Sequence, residues 1–431
     1  MERNAIRMCE ILVGLPEINV LWLDDVPDKA LRIGVESRRS GEVCPGCGQN
    51  ARIKERPSVE LADLPAFGRS VELIWRKQRW ECVNPVCDVS SWTSQDPRIA
   101  PARGGMTVRA GRWATLQVGK HGRSVSEVAM DLGCAWHTVN DAVTAYGAVL
   151  IDGDPLRIGE VSALGLDELL FFRKGAWRQL QWSTCLVDVN KGKLLDLVEG
   201  RTTEAPSGWL QKRESSWRER IRYGTLDLCG TYKSVFDNEL PHVTQVADPF
   251  HVIKLANAKL DECRRRVQNA TMGHRGRKGD PLYRCRRLLT KAKERLDDRG
   301  SEKLVGLLKA GDPDGEVATA WKAKEAIRAL YEHTNTELAT QWVETLGAEL
   351  KEADKPEEVK SLGRTLIRWK KQIAAWHEAQ VTNGPTETMN NLIKRIKRVA
   401  FGFTNFANYR IRALLYAGKQ NWSRLSEATP R

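Results

Sequence analysis

The 431-residue sequence predicts a multidomain α+β fold, and three observations predict it. Two short-spaced cysteine pairs stand near the N-terminus. A capped helix, a glycine and a second helix follow. From about Gly159 the pattern becomes strand, strand, strand, helix, strand, helix, strand, ahead of a long helical stretch. These read as a zinc ribbon over residues 1–97, a helix-turn-helix over 105–150, and a ribonuclease H-like α/β core over 158–431 with a large helical insertion at about 252–380.

The charge balance sets the class of partner before any motif does. The formal net charge is +13, and it is uneven: residues 254–299 and 361–431 are basic, and an acidic block, 300–360, separates them. Such local excess points to nucleic acid. No apolar run approaches the ~18 residues that span a bilayer. Ile11-Leu-Val-Gly-Leu15 is too short for a signal-peptide core and is followed by proline, so the cytoplasm is expected and no membrane partner is. Cys9, Cys134, Cys185, Cys229, Cys263 and Cys285 are scattered singly and are expected to be reduced and mostly buried.

The other four cysteines form the ribbon. Cys44-Pro-Gly-Cys47 and Cys82-Val-Asn-Pro-Val-Cys87 are separated by 34 intervening residues, one pair for each of two knuckles. A hairpin through Val59–Leu64 and Ser70–Trp80 is expected to bring them together. Four thiolates leave no open position for water, so the expected Zn²⁺ is structural, contributing roughly 10 kcal/mol or more to a module with a small core. Arg76, Lys77 and Arg79, beside Trp75 and Trp80, are candidate phosphate contacts.

After the linker Ser94–Gly105, Ser124 and Glu127 can form a capping box, Val128, Ala129 and Leu132 give an inner face, and Gly133 allows a tight turn. In the second helix Val139 and Val143 face inward, leaving Trp136, His137 and Asn140 outward to reach base edges in the major groove.

Chemistry is expected from three carboxylates. Asp167 lies in the strand-like run Ala163–Phe172, and Asp227 in Arg222–Cys229. A carboxylate within an apolar run must find a cation or hydrogen bonds, because burying it bare costs several kcal/mol. Glu387 follows the turn Thr382-Asn-Gly-Pro385 in the first turn of a helix whose apolar positions are Met389, Ile393 and Ile396. In a ribonuclease H-type order the Asp167 and Asp227 strands are neighbours. The roughly 160 residues between Asp227 and Glu387 are too many for a simple connection, which is why an insertion is required. Asp248, at a strand end, and His251 are read as orienting or capping groups. Glu168 points to the opposite strand face. Arg264, Arg265 and Arg266, then Arg275, Arg277 and Lys278 on a charged loop, then Lys394, Arg395, Lys397 and Arg398 after Glu387, are candidate DNA contacts. Trp321, Trp342, Trp369 and Trp376 are read as helix-packing residues.

With those residues in place, the chain resembles a bacterial insertion-sequence transposase of the DDE class, in the ISL3 family. The resemblance rests on the cysteine ribbon, the helix-turn-helix, Leu166-Asp167-Glu168, Asp227, Ala247-Asp-Pro-Phe-His-Val-Ile-Lys254, Thr382-Asn-Gly-Pro-Thr-Glu387 with Asn390, Asn391, Ile393 and Lys394, and Phe401-Gly-Phe403, Asn405-Phe406 and Tyr409-Arg410. Thr388 stands where a glycine is usual, and Leu228-Cys229 replace the residues usual after Asp227. The resemblance implies catalysis by Asp167, Asp227 and Glu387 with Mg²⁺ or Mn²⁺, cleavage at terminal inverted repeats of double-stranded DNA, and strand transfer to target DNA. Pairing two ends implies a homodimer or larger assembly. Two other classes are distinguishable: a catalytically silent transposase-derived regulator, which need not keep three carboxylates, and a structure-specific nuclease, which has little use for two N-terminal DNA-reading modules.

Overall fold

The computed structural model describes residues 4–38, 41–332 and 335–428; the outermost residues of the expected first and last domains lie outside the described residues. The chain forms two compact units. One comprises residues 1–158 together with 392–431, and the other residues 159–391. No described helix is long and apolar enough to cross a membrane.

Among its described residues the first unit holds seven strands: β1 (Ile18–Asp24), β2 (Leu31–Ser37), β3 (Arg52–Glu55), β4 (Ser58–Ala66), β5 (Arg69–Arg76), β6 (Arg79–Glu81) and β7 (Ser91–Thr93). They form two sheets, ordered β1-β2-β5-β4 and β3-β6-β7. The hairpin expected to join the cysteine pairs is instead β4/β5 of the larger sheet. Its alternating Val71, Leu73 and Trp75 pack with Ile18, Ile33, Val35 and Leu61 into a core of its own. The small sheet does the joining: Ile53 pairs with Trp80, and Trp80 with Trp92.

In the same unit, Ser124 caps the helix Val125–Leu132 through a complete capping box with Glu127, and Gly133 ends it at φ +63°. The second helix, Trp136–Ile151, buries Val139 and Val143. The helix Phe406–Ala417 packs along it. Gly147 allows that approach, since a Cβ there would lie 2.6 Å from Ile411.

The second unit carries β8 (Ala163–Lys174), β9 (Gln179–Asp188), β10 (Lys193–Glu199), β11 (Tyr223–Leu226) and β12 (Thr244–Ala247), ordered β10-β9-β8-β11-β12. β8, β9 and β10 are antiparallel, while β8, β11 and β12 run parallel. Helices Glu204–Gln211 and Ser215–Arg218 make the crossing from β10 to β11. This is the expected ribonuclease H-like order, with one adjustment: β11 ends at Leu226, so Asp227 is the first residue beyond the strand. From Pro249–Met272 to Trp376–Ala379 every described element is helical. In that insertion Trp369 is buried, Trp321 and Trp376 are half-buried, and Trp342 is 37% exposed, the most open of the four.

Candidate active site

The sheet register brings the acids to one edge. Thr225 pairs with Gly165 on the parallel strands β11 and β8, so Asp227 and Asp167, each two residues further on, stand side by side, Asp227 just past the end of β11 and Asp167 on β8, which continues beyond it to Lys174. Leu226 pairs with Ala247, and Asp248 follows on β12 to extend the row. Neighbouring strands lie about 4.8 Å apart. The C-terminal edge of parallel strands is where α/β folds place their sites.

Glu387 reaches this edge from the helix Gly384–Val399, in its first turn. The approach depends on Gly165. A Cβ there would sit 2.3 Å from Thr386 Oγ1 and 2.9 Å from Val189, so only glycine lets the helix start, with its buried Thr386, close on β8.

Two asparagines hold the aspartates. Asn383, fully buried, donates from Nδ2 to Asp227 Oδ1 at 3.1 Å, accepts from Thr225 Oγ1 at 3.1 Å, and donates its backbone N–H to Asp248 Oδ2 at 3.0 Å. Asn390, one helical turn past Glu387, donates to Asp167 Oδ2. Asp167 also accepts the Glu168 N–H at 2.7 Å. Sequence reasoning gave neither amide a role. The available signal was the spacing: Asn390 stands three residues after Glu387 and therefore on the same helix face.

His251 lies among the acids, its Nε2 3.0 Å from Asp227 Oδ1 and 3.5 Å from Glu387 Oε1, at ion-pair distance without hydrogen-bond alignment. Burial disfavours its charged form, but Asp227, with Asp248 and Glu387, outweighs burial and raises its pKa. Burial, reinforced by the charge of Asp227, pushes Asp167 up to about 6. Asp248 is buried and raised by that burial; its Oδ1 caps the helix Pro249–Met272 by accepting from Phe250 N at 3.0 Å. Glu168 points elsewhere, 3.8 Å from Arg201.

The four cysteines converge differently. All four Sγ atoms lie within 4.8 Å of one another, with Cys44 3.7 Å from Cys87 and Cys47 3.5 Å from Cys82. A tetrahedral ion with Zn–S near 2.3 Å requires sulfurs about 3.8 Å apart, so the cage already has the dimensions of zinc. Burial raises the Cys44 thiol, yet the backbone N–H groups of Cys47 and Gly46 draw it down to about 7, towards the thiolate a metal takes. Among the described residues no other group of three or more ligands is this tight.

The candidate DNA contacts divide. Arg76 is exposed, Arg79 is paired with Glu55, and Lys77 is buried with Nζ on Gln95 Oε1 and over the Trp75 ring; Lys77 is thus a packing residue, because its stem and charge are already accommodated inside. Trp136 and His137 are exposed, whereas Asn140 is half-buried and accepts from Asn408 Nδ2 at 2.8 Å, so it does not face outward freely. Arg264 is buried against Asp261 and Gln268, and Arg266 is clamped between Glu316 and Glu358; neither presents a free cation to phosphate. Arg265 is exposed, though paired with Asp261. Arg275, Arg277 and Lys278 are exposed on the loop after the helix Pro249–Met272, and Lys394, Arg395 and Arg398 are exposed, with Lys397 half-buried.

Comparison with known proteins agrees along the chain. Residues 164–413 match the family model described as transposase, of the ISL3 type; residues 40–87 match the zinc-finger of transposase IS204/IS1001/IS1096/IS1165, and residues 95–147 the helix-turn-helix domain of transposase family ISL3. The chain belongs to the ISL3 family of transposases. Its relatives include the transposase for insertion sequence element IS1001 of Bordetella parapertussis, 24% identical over 89% of this chain and 90% of that one. Another is the transposase for IS1557 of Mycobacterium tuberculosis, 25% identical over 92% of each. For an ISL3 transposase, the four-cysteine cage is a structural zinc site, the helix-turn-helix is a DNA-binding module, and the ribonuclease H-like unit is a DDE-type nuclease and transposition domain.

Proposed function

We propose that Asp167, Asp227 and Glu387 are the catalytic acids, that they hold Mg²⁺ or Mn²⁺, and that the protein cuts at the terminal inverted repeats of its own insertion sequence and joins the freed ends to target DNA. One observation carries the reading: two aspartates emerge in register on adjacent parallel strands, and Glu387 is brought to the same edge by a helix that only Gly165 admits. The donors fit a hard divalent cation. They are all carboxylate oxygens, and the pKa of Asp167 is raised first by burial and then by the charge of Asp227, both of which a bound cation offsets.

Two such ions, when bound, supply Lewis-acid stabilisation of the attacking and leaving oxygens in an in-line displacement. The chain does the positioning. Asn383 and Asn390 fix the aspartate rotamers, and His251 offsets part of the negative charge between Asp227 and Glu387. The scissile phosphate enters on the open side, where Glu387 is two-fifths exposed. The zinc and helix-turn-helix modules select the ends, two of which are paired by a dimer or larger assembly in the cytoplasm.

The test is incubation of the protein and its Asp227→Asn variant with labelled DNA carrying the inverted repeats that flank its gene, with Mg²⁺ or Mn²⁺. Cleavage at the repeat tips by the native protein alone is expected. Specific binding without cleavage under either metal overturns the catalytic assignment.

A further inference from the structure

We infer that a cavity next to the carboxylates receives one nucleotide of the strand flanking the cut, swung out of the duplex. It measures about 470 Å³, within the ~300–1,000 Å³ range of small-ligand sites. Leu228, which follows Asp227, lines it, and so does His251, 3.0 Å from Asp227 Oδ1; the cavity and the acids therefore share a wall.

The lining has two chemistries. Leu228, Leu255 and the buried Trp369 offer an apolar surface for a base, and Lys254 and Arg368 offer two exposed cations. Among the described residues neither cation is paired with a carboxylate, in contrast with Arg266 and Arg328 of the same insertion, each of which meets two. Arg368 also reaches the start of the helix Gly230–Glu239, where a Cβ on Gly230 would lie 3.8 Å from its Nη2, so the amide-rich end of that helix adds to the positive field. A free phosphate leaves the apolar wall unused. A purely apolar ligand leaves two cations uncompensated. A nucleotide, with a stackable base and a phosphate, answers both, and the strand being cut supplies it at this place. The inference rests on Asp167, Asp227 and Glu387 being the cutting site.

The test uses the full-length protein and end DNA with a single mismatch moved through the first few base pairs on each side of the cleavage point. An unpaired base costs less to swing out, so binding is expected to tighten several-fold at one position only. The Lys254→Ala/Arg368→Ala protein is expected to lose that tightening and to cut about tenfold or more slowly, each lost contact being charge-assisted. Ala258→Trp, at an exposed position on the cavity wall, is a second variant that keeps both cations. It is expected to slow cleavage, and an abasic nucleotide at the sensitive position is expected to restore it. Cleavage by the native protein with no mismatch-sensitive position, or sensitivity that persists in the double variant, overturns the inference and leaves the cutting site intact. Tightening at one position without cleavage under either metal overturns the catalytic assignment instead.

Discussion

The four-cysteine cage and the carboxylate edge are both clusters of charged or chargeable side chains, yet they are built in opposite ways. The cage draws its ligands from two short loops at one small sheet, and its sulfurs converge within 4.8 Å, supported by backbone N–H groups of the same loops such as Asn84 N to Cys82 Sγ. The carboxylate edge draws on two neighbouring strands and a helix as far as 220 residues away in sequence, and its aspartates are braced: Asp227 by Asn383, Asp167 by Asn390, and their neighbour Asp248 by Asn383 and a helix start. Neutral thiols can cluster until a metal deprotonates them. Carboxylates repel, so donors must hold them in place before a cation arrives.

That contrast can be broken most severely at the cage. Chelation of zinc, or Cys47→Ser, is expected to unfold the ribbon, because roughly 10 kcal/mol or more of its stability comes from the metal. Circular dichroism, zinc content and end binding by gel shift should fall together. A ribbon that keeps its fold and its end binding without zinc would remove the distinction between the two sites.

At the carboxylate edge the corresponding injury is graded. Asn383→Ala and Asn390→Ala are expected to lower metal affinity or cleavage by roughly 10–100-fold each while end binding stays unchanged. Titrating Mg²⁺ against cleavage rate separates the two effects, and native rates in both variants would show that the amides do not position the acids.

Gly165→Ala sharpens the comparison by acting on backbone approach alone. Its methyl would overlap Thr386, so thermal unfolding should reveal a loss of about 1–3 kcal/mol, with a parallel loss of cleavage as Glu387 retreats. An unchanged midpoint would mean that the helix start does not depend on this contact. The smallest effect is expected at Ser124→Ala, which removes the helix-turn-helix cap at a cost of about 1 kcal/mol, visible as weaker end binding near the melting temperature and little change at low temperature.

Much of this was legible in the chain because it is written locally. The spacing within each cysteine pair, the Ser124/Glu127 box, Gly133 and the succession of strands and helices along the core each depend on residues a few positions apart. The same local reading went astray where burial decided. Lys77 sits in a run of alternating residues that looks like a basic surface, but its strand neighbour Trp75 lies in a core and the lysine folds over that ring. Arg264 and Arg266 form part of a basic triplet, yet their partners come from Asp261, Glu316 and Glu358 on and beyond their own helix. The β4/β5 hairpin was visible as a hairpin, but which sheet it joins depends on pairing with β2.

By itself, the sequence determined which elements form and which chemistry they carry: thiols in pairs, a capped helix with a second helix after it, and three acids in strand-like runs and at a helix start. Only the tertiary structure decided how those acids are held. Asn383 meets Asp227 across 156 residues and Asn390 meets Asp167 across 223, and the room for Glu387 exists because one strand residue has no side chain. Periodicity and capping act over one or two turns of chain, whereas an amide's partner and a glycine's neighbour are chosen by packing, which no local pattern encodes.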